Sequence, residues 1–67
     1  MIRVTINGKE YEFESASTVE DYLEMKDLLN RSIAVALNGT VLRREEFASA
    51  TLNDGDHMEI VRPVGGG

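Results

Sequence analysis

The residues that offer the clearest chemistry lie at the C-terminal end of the chain, which reads RPVGGG over residues 62–67. The α-carboxylate of Gly67 is ionised at neutral pH. A carboxylate is a poor electrophile, so a partner must activate it, for example as an acyl-adenylate formed with ATP. Three glycines have no side chains that could obstruct a narrow channel, and six residues span roughly 20 Å when extended. We therefore expect this tail to carry its carboxylate into the active site of another enzyme.

The alternative interpretation of the tail is a frayed chain end, since termini are often disordered. Pro63 has no N–H to donate to a strand ladder, so the pairing of the preceding strand is expected to end near this residue. We expect a single domain over residues 1–64, followed by a flexible glycine tail, residues 65–67.

Few other residues could form an active site or hold a ligand. The chain has no Cys and a single His, His57, which argues against thiolate chemistry, disulfides and the usual zinc sites. Asp54 and Asp56 flank Gly55 in the segment NDGD, which has too few ligands for a calcium loop and is typical of a tight turn. No glycine motif has the spacing that cradles a phosphate. We expect no metal, no bound cofactor and no catalytic residue in this chain.

Composition narrows the classes of partner. The formal net charge is −5, so the basic surface that nucleic acids require is missing. An acidic protein suits partners with basic docking surfaces, although net charge also favours solubility in general. No apolar stretch approaches the roughly 20 residues of a membrane span, and the chain begins as a strand without a signal-peptide core. We expect a cytoplasmic protein that binds neither membranes nor nucleic acid.

An N-terminal β-hairpin is predicted over residues 1–14. Apolar and polar residues alternate from Ile2 to Ile6 and again from Tyr11 to Glu14, which is the period of half-buried strands. Asn7-Gly8 between them is a strong hairpin signal, because both residues tolerate a positive φ. The glutamates at positions 10, 12 and 14 are interpreted as the solvent-exposed face of this hairpin.

A single helix is predicted after the hairpin. The segment SASTVED contains two candidate capping boxes, Ser17 with Glu20 and Thr18 with Asp21. Apolar residues at helical spacing follow both of them. Because so short a helix is not stable alone, its apolar stripe must pack on a sheet. The predicted helix begins at about Thr18 and ends at Lys26 or, as the alternative, at Leu29.

The middle of the chain predicts a second hairpin and an anchoring loop. SIAVALNG and TVLRR form two strands joined at Asn38-Gly39, with residues 33, 35 and 37 facing inward and Ala34 and Ala36 outward. REEFASATL lacks a clear period, so we expect a turn of helix and a loop that anchors Phe47 and Leu52.

The segment HMEIVRPV predicts the last strand, with Met58 and Ile60 inward. If this strand lies beside the first one, the fold is α+β, a ubiquitin-like β-grasp in which one main helix packs across a mixed sheet. Val61 then points to the open face of the sheet, where it could form an apolar partner patch with Ala36 that leads into Pro63 and the tail. The alternative is that these are isolated exposed apolar residues, which are ordinary.

Segments along nearly the whole chain resemble the ThiS-type sulfur carrier proteins of thiamine biosynthesis, within the ThiS/MoaD group of ubiquitin-like proteins. The short pieces NG and DGD are weak signals, whereas the ordered set, ending on Gly-Gly, is specific. The resemblance rests on NGK, TVEDYL, IAVALNG, VLRREEF and LNDGDHMEIVRPVGGG.

The resemblance implies a role as a protein cosubstrate that is not itself a catalyst. An E1-like adenylating enzyme of the ThiF type would use ATP and magnesium to activate Gly67, the last residue of the Gly66-Gly67 end. A sulfur donor such as a cysteine desulfurase would supply the sulfur of a thiocarboxylate, and a thiazole synthase of the ThiG type would receive it. Pro63, Val64 and Gly65 would then be the part of the tail that enters the partners' active sites.

Two other functions stay open. Molybdopterin-synthase small subunits share this fold and end, but they are commonly longer between the helix and the next strand, where this chain has only residues 27–32. That brevity favours the thiamine branch over the molybdopterin branch, while a carrier for another sulfur pathway stays an alternative. The second alternative is a ubiquitin-like interaction module whose tail is inert or is conjugated to lysines.

Overall fold

The computed structural model describes residues 1–62, and residues 63–67 lie outside the described part of the chain. Its elements follow the predicted order, with one additional pair of short strands. They are β1 (Ile2–Ile6), β2 (Lys9–Phe13), β3 (Ser17–Thr18), α1 (Val19–Met25), β4 (Ala34–Leu37), β5 (Thr40–Leu42), a 3₁₀ helix (Arg44–Glu46), β6 (Thr51–Leu52) and β7 (His57–Val61).

Both predicted hairpins are confirmed. β1 pairs antiparallel with β2, and β4 pairs antiparallel with β5. Asn7 and Asn38 adopt φ angles of 52° and 51°, and the glycines that follow them adopt 82° and 85°. Two consecutive residues at positive φ form the tight turn whose twist matches that of paired strands. Asparagine followed by glycine therefore determines where each hairpin reverses.

The helix begins with one of the two candidate capping boxes. The Thr18 hydroxyl accepts a hydrogen bond from the Asp21 N–H at 3.0 Å, and the Asp21 carboxylate accepts one from the Thr18 N–H at 3.3 Å. Two backbone donors that a helix start leaves unpaired are thereby satisfied. Thr18 with Asp21, rather than Ser17 with Glu20, therefore starts α1.

The helix ends earlier than the longer of the two predictions. Asp27 adopts a φ of 59°, and its N–H donates to the Glu24 carbonyl at 3.1 Å. The Leu28 N–H donates to the Leu23 carbonyl at 2.8 Å. This pair of bonds is a Schellman motif, which stops a helix by satisfying its last carbonyls. The extension to Leu29 is therefore wrong, and α1 ends at Met25.

A mixed five-stranded sheet carries the fold, in the order β2-β1-β7-β4-β5. β7 lies at its centre, parallel to β1 and antiparallel to β4. The adjacency of the first and last long strands, on which the predicted β-grasp depended, is thus confirmed.

The core lies between the sheet and α1. Tyr22 of the helix meets Phe13 of the hairpin edge to face, with ring centroids 6.1 Å apart. Phe47 and Leu52 are buried as predicted. No polar or charged residue of the described range 1–62 is buried. The buried residues are Val4, Ile6, Val19, Tyr22, Leu23, Val35, Phe47, Leu52 and Met58.

A two-stranded ladder of β3 and β6 is the element that the sequence did not predict. Ser17 pairs with Leu52 and Thr18 with Thr51. In addition, the Val19 N–H donates to the Ala50 carbonyl at 2.8 Å. This ladder ties the start of the helix to the loop that follows the 3₁₀ helix.

Candidate functional site

The predicted sulfur-carrying end, Gly66 and Gly67, and the adjoining Pro63, Val64 and Gly65 lie outside the described residues. The structure does define where the chain reaches them. The last pair of the sheet is Ala34 with Val61, and Arg62 follows as an exposed residue without regular structure. Strand pairing therefore ends two residues before Pro63, close to where the sequence predicted.

The strand that leads to this end is held from both sides. The Asn38 side-chain oxygen accepts a hydrogen bond from the His57 N–H at 2.9 Å, at the start of β7. The Asn7 side-chain oxygen accepts one from the Ile60 N–H at 2.8 Å, near its end. The two turn asparagines, which the sequence marked only as turn formers, thus also bind the central strand.

The open face of the sheet carries a small apolar patch beside the end of β7. Val61 is 60% exposed, and it lies opposite Ala34. Val41 is 72% exposed, and it lies opposite Ala36. We call these four residues the open-face patch.

The sequence placed Val61 and Ala36 on this face, and both do lie there. They are not direct partners, because Ala36 lies opposite Glu59. Sequence reasoning missed Ala34 and Val41 as members of the patch. The sequence TVL, residues 40–42, contained this signal. Successive residues of a strand point to opposite faces, so Val41 must point away from the core if Leu42 packs into it.

Charged residues occupy the other half of the open face. Glu10 and Glu12 of β2 are exposed, as predicted for the solvent-exposed face of the hairpin. The Arg3 guanidinium donates to the Glu12 carboxylate at 3.2 Å. This hydrogen bond, together with the charge of Glu10, raises the pKa of Arg3. The open face is therefore acidic at β2 and apolar at β4 and β5, while Glu59 of β7, opposite Ala36, adds an exposed acid at the border of the open-face patch.

The acids of the NDGD segment serve the turn. The Asp54 carboxylate accepts from the Arg3 N–H at 2.8 Å. The Asp56 carboxylate accepts from the Asn53 N–H at 2.8 Å and from the Asn38 side-chain amide at 3.0 Å. Gly55 between them has a φ of 88°. Their oxygens thus bind backbone and side-chain donors of the fold.

His57 lies exposed at the start of β7. Over residues 1–62, no three His, Asp or Glu side chains are grouped so that they could hold a metal ion.

None of the helices in the described part of the chain has the length and apolar character needed to cross a membrane.

Comparison with known proteins identifies relatives of the whole described fold. The sulfur carrier protein ThiS of Bacillus subtilis is 33% identical over 63 residues, which cover 92% of this chain and 96% of that protein. The crystal structure of the thiamine biosynthesis protein ThiS from Geobacter metallireducens superposes with a TM-score of 0.83 at 33% identity, covering 98% of this chain and 100% of that one.

A longer protein also contains a similar segment. The thiazole synthase of Paramagnetospirillum magneticum is 36% identical over 66 residues, which cover 98% of this chain but only 20% of that protein. This chain thus spans about a fifth of that relative. The family model described as the ThiS family matches residues 4–67. The ubiquitin-like β-grasp, the glycine end and these likenesses together lead to one conclusion: the chain belongs to the ThiS family.

Proposed function

We propose that this protein carries sulfur for thiazole synthesis in the thiamine pathway, as a thiocarboxylate on Gly67. The observation that carries the proposal is the ThiS-family match over residues 4–67, which includes the glycine end. The likeness to ThiS carriers over their full lengths supports the same role. The fold adds a physical reason, since β7 lies between β1 and β4 and stays paired with β4 as far as Val61, next to where the tail begins.

The proposed chemistry has two steps on one carboxyl group. First, a carboxylate oxygen of Gly67 attacks the α-phosphorus of ATP, and pyrophosphate leaves. Second, hydrosulfide attacks the acyl carbon, and AMP leaves with the original oxygen. Where the nucleophile is a cysteine persulfide instead, it forms an acyl disulfide, and a thiol then reduces the S–S bond to release the thiocarboxylate. The terminal glycines have no side chains, so they leave the acyl carbon open to attack. Magnesium and ATP belong to the partner that catalyses the first step.

Three partners follow from this chemistry. An adenylating enzyme of the ThiF type performs the activation, and a sulfur donor such as a cysteine desulfurase supplies the second step. A thiazole synthase of the ThiG type receives the sulfur, and the likeness to a segment of a thiazole synthase supports this choice. The open-face patch, with Val41 and Val61, is the surface that we propose docks on them.

Intact-mass measurement tests the carrier role directly. The protein is incubated with its adenylating enzyme, ATP, magnesium and a sulfur donor. We expect a mass gain equal to the replacement of one oxygen by one sulfur, and no gain after deletion of Gly67. A persulfide would add a whole sulfur atom instead of exchanging oxygen for sulfur, and the chain has no Cys on which one could form.

Two outcomes would contradict the proposal. One is an unchanged mass with an adenylating enzyme that activates another ThiS carrier. The other is a gain that survives the deletion of Gly67. Transfer of the sulfur to thiazole synthase, but not to a molybdopterin synthase large subunit, would assign the pathway. Attachment to lysines of other proteins would instead favour the ubiquitin-like interaction module.

A further inference from the structure

The side-chain amide of Asn7 makes two hydrogen bonds to a single residue of β7. Its oxygen accepts from the Ile60 N–H at 2.8 Å, and its nitrogen donates to the Ile60 carbonyl at 3.3 Å. Asn7 belongs to the turn between β1 and β2, whereas Ile60 immediately precedes the last paired residue of the sheet. The contact therefore joins the N-terminal hairpin to the end of the tail-bearing strand.

These two bonds continue the parallel ladder of β1 and β7 by one step. The Thr5 N–H donates to the Asp56 carbonyl at 2.9 Å, and the Asn7 N–H donates to the Met58 carbonyl at 3.0 Å. A two-residue step along β7 leads next to Ile60. At that point the backbone of Asn7 has turned away at a φ of 52°. In a continued ladder, the Asn7 carbonyl would accept from the Ile60 N–H, and the N–H two residues further on would donate to the Ile60 carbonyl; the Asn7 side-chain amide supplies both the acceptor and the donor instead.

Asparagine suits this position for two reasons. Its side chain carries both a carbonyl oxygen and an NH₂ group, as a peptide unit does. It also tolerates the left-handed backbone that the hairpin turn requires. One residue can thus end β1 and still satisfy the backbone of β7.

The contact affects the end of β7, because Ile60 lies one residue before the last paired residue of this strand. β4 holds the other edge of β7, where Ala34 lies opposite Val61. Without the Asn7 amide, the end of β7 would be held on the β4 side alone, because β1 ends at Ile6. We propose that Asn7 is a positioning residue of the carrier, which fixes the direction in which the chain leaves the sheet towards Gly67. This inference rests on the proposed function.

Asn38 offers a matched control within the same chain. It occupies the same place in the other hairpin turn, with a φ of 51°. Its side chain also makes two hydrogen bonds, to the His57 N–H at 2.9 Å and to Asp56 at 3.0 Å. These contacts lie at the start of β7, away from the tail. Glycine at either position keeps the turn, since glycine adopts a positive φ without strain.

The test compares Asn7→Gly and Asn38→Gly with the unchanged protein. Adenylation by the ThiF-type enzyme is followed as pyrophosphate release over a range of carrier concentrations. For Asn7→Gly we expect kcat to fall about fivefold, the factor that one hydrogen bond of ordinary strength represents, with little change in KM. For Asn38→Gly we expect both constants to stay within about twofold.

Hydrogen exchange supplies a readout that does not depend on the partner. The Ile60 amide should exchange at least about tenfold faster in Asn7→Gly, while core amides such as that of Val4 change no more than in Asn38→Gly. Asn7→Asp keeps an acceptor for the Ile60 N–H but loses the donor to its carbonyl. Its kcat should therefore lie between those of Asn7→Gly and the unchanged protein.

Each contrary outcome has a defined meaning. Equal losses of kcat in Asn7→Gly and Asn38→Gly would reduce Asn7 to a contributor to stability and overturn the inference. A raised KM with unchanged kcat would make Asn7 a docking contact and would also overturn it. If the unchanged protein is not adenylated at all, the proposed function fails instead, and the exchange of the Ile60 amide still tests the contact itself.

Discussion

Ala34 and Val61 lie directly opposite each other in the antiparallel pair of β4 and β7, on the face of the sheet that the helix leaves open. They form the last pair before the chain continues into Arg62. Val41, opposite Ala36 on the neighbouring strands, extends the same apolar surface. In the proposed function, this apolar surface next to Arg62 docks on a partner enzyme.

Val61→Asp should weaken binding to the adenylating enzyme by about tenfold, because it places a charge in the open-face patch. Since Val61 is 60% exposed, the melting temperature should change by no more than about 4 °C. Titration calorimetry and thermal unfolding measure the two effects.

Met25→Asp is the control for this variant, since Met25 is 65% exposed and belongs to α1 on the opposite side of the sheet. It introduces the same charge and should leave the affinity unchanged. Unfolding of Val61→Asp would mean that Val61 stabilises the core, and equal affinity losses in both variants would point to net charge rather than to the patch.

Thr18→Ala should lower the free energy of unfolding by about 1 kcal/mol, because it removes the hydroxyl that caps α1. Ser17→Ala is the matched comparison, since Ser17 belongs to the capping box that does not form, and it should cost clearly less. Urea-induced unfolding followed by circular dichroism measures both values. Equal losses would contradict the capping box of Thr18 with Asp21.

Asp27→Gly should raise the free energy of unfolding by about 0.5 kcal/mol, because residue 27 has a left-handed backbone and closes the helix. The variant also removes a negative charge from the end of the helix dipole. The ion pair that it loses, with Arg31 at 3.9 Å, is exposed and contributes little. Urea unfolding measures the change.

Asp27→Asn separates the two contributions, because it removes the charge and keeps a side chain. We expect it to gain less than Asp27→Gly. A loss of stability in Asp27→Gly would mean that the greater freedom of glycine in the unfolded chain outweighs the relief of strain.

Alkaline pH should destabilise the fold through Tyr22. Burial is the main cause that raises the pKa of Tyr22 above its ordinary value of 10.0, and the neighbouring Tyr11 adds to the rise. A pKa raised in the folded state means that the neutral phenol favours folding. Its contribution is complete below the unfolded pKa and is lost as the pH rises through the folded pKa.

The pKa of Tyr22 is measured from phenolate absorbance during a pH titration of Tyr11→Phe. The chain has two tyrosines, so Tyr22 is the only one left in this variant. The pKa of Tyr22 in this variant should still lie above that of free tyrosine, because burial raises it more than Tyr11 does. A midpoint at the value of free tyrosine would contradict the burial of the Tyr22 hydroxyl.

Local patterns in the sequence were sufficient to predict the hairpins, the helix and most of the core. Alternation over Ile2–Ile6 determines which side chains face inward, because successive residues of a strand point to opposite faces. Asn7-Gly8 and Asn38-Gly39 determine the turns, because few other residues accept their backbone angles. These signals need no distant partner, so they can be read from neighbouring residues alone.

Local patterns of this kind could not predict contacts between segments that lie far apart in the sequence. The Arg44 guanidinium donates to the carbonyls of Leu29 and Arg31 and thereby fixes the connection between α1 and β4. The pairing of β3 with β6 involves two residues on each side, too few for any period to reveal. Neither contact has a signal in the spacing of its own residues.

The sequence by itself supplied the glycine end and, through its ordered segments, the resemblance to the sulfur-carrier family on which the proposed chemistry rests. The tertiary structure decided how that end is presented. It placed β7 between β1 and β4, set Val61 opposite Ala34 and brought the Asn7 amide to Ile60. Strand order and register follow from packing on the helix, which many distant side chains determine together.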